Sequence, residues 1–97
     1  MESTYLYGFK PVSGGYGSFC VVPEEYWIAH GTTMDKYMRD NDIVDQLESL
    51  GFYEVMQNTF EYNARSISKS DVIEKLSTLG CMKHSKELES YINYRED

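Results

Sequence analysis

The sequence is poor in cysteine, in proline and in long apolar runs. Its two cysteines, Cys20 and Cys81, are too few for a disulfide framework and stand in apolar contexts, so we expect free thiols in a reduced, cytoplasmic protein. The apolar runs last only a few residues, far short of the roughly 20 that a membrane helix needs. The N-terminus lacks the basic and apolar stretches of a signal peptide. We therefore expect neither export nor a membrane partner.

Basic residues are also scarce: nine Lys and Arg stand against sixteen Asp and Glu, which gives a net charge of −7. Residues 24–61 hold nine of the acids and two of the bases, so this middle segment carries the whole net charge. Nucleic acids and anionic membranes are bound by concentrated Lys and Arg. We therefore expect no direct nucleic-acid partner, whereas a basic protein surface would complement the segment.

The chain has the length and composition of one folded domain, residues 1–97, with 41% hydrophobic and 14% aromatic residues. A domain of this size has a modest core, which oligomerisation would enlarge, so a homo-oligomer is one alternative to a monomer. Compactness and acidity together resemble those of small accessory and inhibitor proteins of phages and mobile elements. This resemblance rests on size and charge and assigns no residues.

The first 22 residues predict a β-hairpin. In residues 4–12, Tyr5, Tyr7 and Phe9 alternate with smaller or aliphatic residues, which is typical of a strand. Turn-forming residues follow at 12–18, and the apolar run 19–22 is β-branched and aromatic.

Helix signals begin at Pro23, which suits a first helical turn, and Glu24 and Glu25 complement the positive end of a helix dipole. We predict a short helix through Ala29 and, after a break at residue 31, a second one over residues 33–39. Residues 40–42 supply caps for a third helix, which ends at Gly51. Its apolar residues recur at helical spacing: Ile43, Val44, Leu47 and Leu50.

Residues 52–62 fit both a helix and a strand, and we predict a strand over their second half because of its β-branched and aromatic content. Ser68 or Ser70 caps a further helix that ends at Gly80, with Val72, Ile73, Leu76 and Leu79 as its apolar stripe. A last helix is predicted over residues 85–94, with Leu88, Tyr91 and Ile92 turned inward. Residues 42–51 and 71–80 are identical at four of ten positions, which we interpret as two similar helices packed on one sheet.

Together these elements predict an α+β fold, in which the N-terminal hairpin and a third strand form a small antiparallel sheet and three or four helices cover one face.

The sequence contains only weak motifs for phosphate binding and metal binding. The glycines at residues 14–17 join two predicted strands rather than a strand and a helix, so a hairpin turn is favoured over a phosphate loop. The four potential soft ligands do not form two tight pairs, and we expect no metal and no cofactor. They are Cys20, His30, Cys81 and His84. The acids near residue 42 lack the order of a calcium loop.

The leading hypothesis is a non-catalytic binding protein whose acidic, tyrosine-containing middle segment contacts a basic protein surface. Its predicted contact residues are Asp40, Asp42, Asp45, Glu48, Glu54, Tyr37 and Tyr53. One alternative is a module that binds a small ligand under the loop from Gly14 to Gly17, either within one chain or at an oligomer interface. Another is an enzyme with a Cys nucleophile and a His base, for which no catalytic residue is assigned.

Overall fold

The computed structural model describes residues 3–10, 18–31, 37, 39–62 and 68–96. In chain order its elements are β1 (Tyr5–Lys10), β2 (Ser18–Pro23), α1 (Glu24–His30), α2 (Asn41–Ser49), β3 (Phe52–Met56), β4 (Thr59–Tyr62), α3 (Lys69–Ser77), β5 (Met82–His84) and α4 (Lys86–Glu96). The predicted α+β class is confirmed. Among the described helices, none combines the length and the apolar character needed to cross a bilayer.

Within the described residues, the sheet has five strands in the order β3-β4-β2-β1-β5. The predicted N-terminal hairpin is confirmed, with β1 and β2 antiparallel from the pair Tyr5 and Pro23 to the pair Lys10 and Ser18. A purely antiparallel sheet of three strands was the wrong prediction, because β5 runs parallel to β1. Strand β5 is only three residues long, too short to show a period of two in the sequence.

Residues 52–62 form two strands instead of the one expected over their second half. β3 and β4 pair antiparallel, and the turn between them places Asn58 at φ 69°. Asparagine tolerates this left-handed conformation better than most residues, so Asn58 favours a hairpin over a continuous helix.

Helices cover both faces of the sheet, not one. On the first face, Tyr5, Tyr7 and Phe9 of β1 pack in a core with residues of α2 and α3. On the second face, Leu6 of the same strand packs with Trp27 of α1 and with residues of α4. The β1 strand is therefore buried on both sides. Sequence alternation alone cannot identify this, because Leu6 and Gly8 look like the minor face of a half-buried strand.

The two similar helices α2 and α3 pack on the same first face, as interpreted from their sequences. Leu47 and Leu76, at equivalent positions, are both fully buried. The helices differ at Val44 and its counterpart Ile73: Val44 is buried, whereas Ile73 is 37% exposed, which corrects the predicted apolar stripe of α3.

The helix starts follow the predicted signals. Pro23 precedes α1, and the Ser68 hydroxyl accepts a hydrogen bond from the Asp71 amide in a capping box at α3. Leu88 and Ile92 of α4 are buried as predicted, and Tyr91 is half-buried. The short helix predicted over residues 33–39 lies mostly outside the described residues.

Candidate functional site

The acidic helix α2 is anchored at its N-terminus by Asp40. One carboxylate oxygen of Asp40 accepts a hydrogen bond from the Asp42 amide at 2.9 Å, and the other accepts one from the Tyr5 hydroxyl of β1. The first bond caps the helix and the second ties its start to strand β1. Asp40 is therefore half-buried and occupied by structural hydrogen bonds, although it belongs to the predicted binding set.

The remaining acids of α2 lie on its solvent side. Ile43, Val44 and Leu47 point into the core, and Asp42, Asp45 and Glu48 are exposed. Residues three apart are neighbours on a helix surface, so the three acids form one continuous line along α2. This line is a concentrated negative surface.

Arg39 links α2 to the outermost strand. Its guanidinium donates to Glu54 Oε1 of β3 at 2.9 Å and to Asn41 Oδ1 of α2 at 3.2 Å. Glu54 is half-buried, and its enclosed Oε2 has no hydrogen-bond partner among the described residues. The ion pair partly neutralises Glu54, so this residue contributes less negative charge to the surface than its sequence position suggested.

The two predicted tyrosines have different environments. Tyr37 is only 4% exposed and its ring lies 5.6 Å from that of Tyr26. Burial, with the nearby charge of Asp40, raises the pKa of Tyr37 to about 12. Its side chain therefore belongs to the core and not to a binding surface, which corrects the prediction. Tyr53 on β3 is 40% exposed.

An open cleft of about 280 Å³ lies between the start of α2, the start of β1 and the approach to β5. It is lined by Ser3, Tyr5, Asp40, Asp42, Gln46, Leu79 and Cys81. Burial, and next the hydrogen bond to Asp40, raise the pKa of Tyr5 above its ordinary value, so its hydroxyl stays protonated at neutral pH. The cleft thus presents carboxylates and neutral polar groups.

Comparisons with protein-family models, with curated proteins and with solved structures find no match to this chain.

The potential cysteine and histidine chemistry is dispersed. Cys20 is 6% exposed and its thiol lies 3.4 Å from the Thr59 hydroxyl, so it is shielded from solvent. His30 packs on Tyr26, with ring centroids 4.4 Å apart. Cys81 is half-buried. Within the described ranges, no three His, Cys, Asp or Glu side chains are grouped to hold a metal. The loop from Gly14 to Gly17 lies outside the described residues.

One surface feature was not predicted from the sequence. On β3, Val55 is 40% exposed and Met56 is 59% exposed, next to Tyr53. The register between β3 and β4 shifts between Glu54 and Met56, which makes Val55 the extra residue of a β-bulge. Bulges redirect side chains. A sequence pattern cannot locate such a bulge, because it is defined by pairing with another strand.

Proposed function

We propose that this chain is a non-catalytic protein-binding module that contacts a basic protein surface through α2 and the neighbouring strand β3. The observation that carries the proposal is the line of exposed acids Asp42, Asp45 and Glu48 along one helix. In the described part of the chain, ion pairs join Lys and Arg side chains to Glu24, Glu54 and Glu89, not to these three acids. Their charge is thus directed to solvent, where it attracts a cationic partner.

The apolar side chains on β3 add to this proposal. Charged residues set the rate and the orientation of association, whereas buried apolar and aromatic anchors supply most of the binding energy. Tyr53 and Met56 are large exposed side chains suited to that role. Cys20, by contrast, is too enclosed to act as a nucleophile, so the enzyme alternative depends on Cys81, which lines the open cleft beside α2.

The proposal is tested by affinity capture followed by measurements with purified proteins. The test variant combines Asp42→Lys, Asp45→Lys and Glu48→Lys. The matched control combines Glu25→Lys, Glu74→Lys and Glu87→Lys, which changes the net charge equally at exposed positions on α1, α3 and α4. Circular dichroism melting checks that both variants remain folded.

We expect the wild type and the control to capture a basic protein that the α2 variant does not capture. Calorimetric titration of that purified protein should then show affinity that falls as salt is raised. Equal loss with both variants would show that only total charge matters, and capture by the α2 variant would show that α2 is not the binding surface. Either result overturns the proposal.

A further inference from the structure

We propose that the outer edge of β3 binds an extended peptide segment as an additional strand, and that this segment alternates basic and apolar side chains. This inference rests on the proposed protein-binding function and specifies the partner's conformation and sequence pattern. Strand β3 ends the sheet, and among the described strands it pairs only with β4. The edge of a sheet is a template for a further strand, which binds through main-chain hydrogen bonds.

The first face of this edge is acidic. Phe52 of β3 packs in the same core as α2, so α2 lies on this face. Arg39 joins Asn41 of α2 to Glu54 of β3, which turns the Asn41 flank of the helix toward β3. Asp45 and Glu48 follow Asn41 at four and seven residues and so share its flank. Both acids are exposed. The side chains of an added strand on this face would meet the Arg39–Glu54 ion pair and, beside it, the exposed charges of Asp45 and Glu48, so the net charge of this face is negative.

On the second face, β3 itself presents the side chains of Tyr53 and Met56, and Glu61 of β4 lies behind Tyr53, with which it pairs. Met56 pairs with Thr59, and Thr59 pairs with Cys20, which belongs to the core of the second face. Tyr53 lies opposite Phe52 in the alternation of β3 and therefore also points to the second face. On that face, α1 packs on β2 and α4 packs on β1, nearer to the β5 edge of the sheet than to the β3 edge. Met56 is left 59% exposed.

Successive side chains of a strand point to opposite faces. A strand added beside β3 would therefore place every second side chain toward the acids of α2 and the others beside Tyr53 and Met56. Lys or Arg complements the first set of positions, and Val, Leu or Ile complements the second. The alternation follows from the two faces and not from charge alone.

A second copy of this chain fits the edge less well. Antiparallel pairing of two β3 strands about a two-fold axis would place both α2 helices on the same face of the continuous sheet. The acids of the two helices would then approach each other, and like charges at an interface are unfavourable. The charge of α2 thus favours a basic partner segment over self-association.

The test uses a fluorescently labelled peptide in which Lys and Val alternate over seven residues, with binding followed by anisotropy. Two further versions carry N-methylated backbone amides, at every Val in one version and at every Lys in the other. In a strand, alternate amides point to the same edge, so each version blocks one edge of the peptide while all charges remain. A fourth peptide has the same composition with the Lys residues in one block.

We expect the alternating peptide to bind and only one methylated version to lose affinity, by about tenfold or more, because a single peptide edge pairs with β3. The block peptide should also bind more weakly. Met56→Lys and Glu48→Lys should each weaken binding by about tenfold. The controls Ile28→Lys and Glu74→Lys, at exposed sites on α1 and α3, should change it by less than about twofold.

Equal binding of all four peptides, with loss on Glu48→Lys, would overturn strand addition and leave the acidic surface as the binding site. Binding unaffected by Glu48→Lys would overturn both proposals. Sedimentation of the chain alone provides a further outcome. A dimer that Met56→Lys dissociates and Ile28→Lys retains would show that the edge is occupied by a second copy, which overturns the inference.

Discussion

Gly8 of β1 lies directly against the backbone of Glu89 in α4. A Cβ atom added at Gly8 would be 2.7 Å from Glu89 Cα and 2.8 Å from its backbone nitrogen. The side chain of the same glutamate also contacts β1, because its Oε1 accepts a hydrogen bond from the Phe9 amide at 2.9 Å. Close approach of helix to strand thus allows the Glu89 carboxylate to bind the β1 backbone beyond the last residue of β5.

The first prediction is that Gly8→Ala destabilises the fold by about 1–3 kcal/mol, because the helix backbone must move away from the strand. Urea unfolding followed by circular dichroism measures the effect. Ser90→Ala, at an exposed position on the same helix, should change the free energy of unfolding by less than about 0.5 kcal/mol. A Gly8→Ala protein as stable as the wild type would show that α4 is not packed this closely.

The second prediction concerns the charge of Glu89. Burial opposes its ionisation, but hydrogen bonds from His84 and the Phe9 amide, with the nearby charge of Lys69, outweigh it and hold the pKa of Glu89 below its ordinary value. The ionised carboxylate therefore stabilises the fold above the unfolded-state pKa of about 4.3, and this contribution is lost as pH falls through the lower folded-state pKa.

Glu89→Gln should accordingly lower the free energy of unfolding by about 1–2 kcal/mol at neutral pH. The difference from the wild type should shrink as the pH is lowered through the acidic range, where Glu89 itself becomes neutral. Urea unfolding at several pH values measures this difference. Glu87→Gln, an exposed neighbour, is the control and should show a small difference. A Glu89→Gln effect that does not change with pH would contradict the assignment.

The sequence was most informative where a structural feature depends on neighbouring residues. A helix cap within residues 40–42, the glycines that follow α2 and α3, and the alternation of Tyr5 and Tyr7 are local, and each was predicted. Strand β5 was missed because its parallel pairing with β1 joins residues far apart in the chain. The hydrogen bond from the Tyr5 amide to the carbonyl of Cys81, the residue just before β5, leaves no pattern in the residues between them.

The candidate surface was predictable to a smaller extent. Charge placed Asp42, Asp45 and Glu48 on the solvent side of a helix, because helical periodicity assigns both faces at once. Tyr37 was misplaced, since an aromatic ring among acids can equally fill a core, and only the packing against Tyr26 decides. The apolar edge at Met56 was not predicted, because edge position is a property of the whole sheet.

The third prediction is a loss of stability at high pH. The pKa of Tyr37 is raised to about 12 by burial and by Asp40, from an unfolded-state value of about 10. Because the folded-state value is the higher one, the stabilisation is complete below pH 10 and is lost between about pH 10 and pH 12. Tyr37→Phe should make the free energy of unfolding less dependent on pH in this window. Tyr94→Phe, at a side chain 80% exposed, should leave the dependence unchanged.

Urea unfolding between about pH 8 and pH 11 measures this slope, and absorbance at about 295 nm follows tyrosinate formation. A wild type and a Tyr37→Phe variant with the same slope would show that Tyr37 ionises as readily in the folded chain as in the unfolded one.

The fourth prediction compares the glycines that end the two similar helices. Gly51 after α2 and Gly80 after α3 both have left-handed backbone conformations, with φ 102° and 71°. Alanine at either site would be strained, by roughly 1–2 kcal/mol. A Cβ at Gly80 would meet open space, but one at Gly51 would lie 2.8 Å from the ring of Tyr62. Gly51→Ala should therefore be the more destabilising change.

Urea unfolding of the two single variants gives this difference directly. Each variant is the control for the other, because both glycines follow a Leu at the end of a similar helix. A second comparison isolates the ring. In a Tyr62→Ala background the contact at Gly51 is removed, so the costs of the two alanines should converge on the shared backbone strain. If the difference persisted there, its source would be the larger φ of Gly51 and not the packing of β4 against the end of α2.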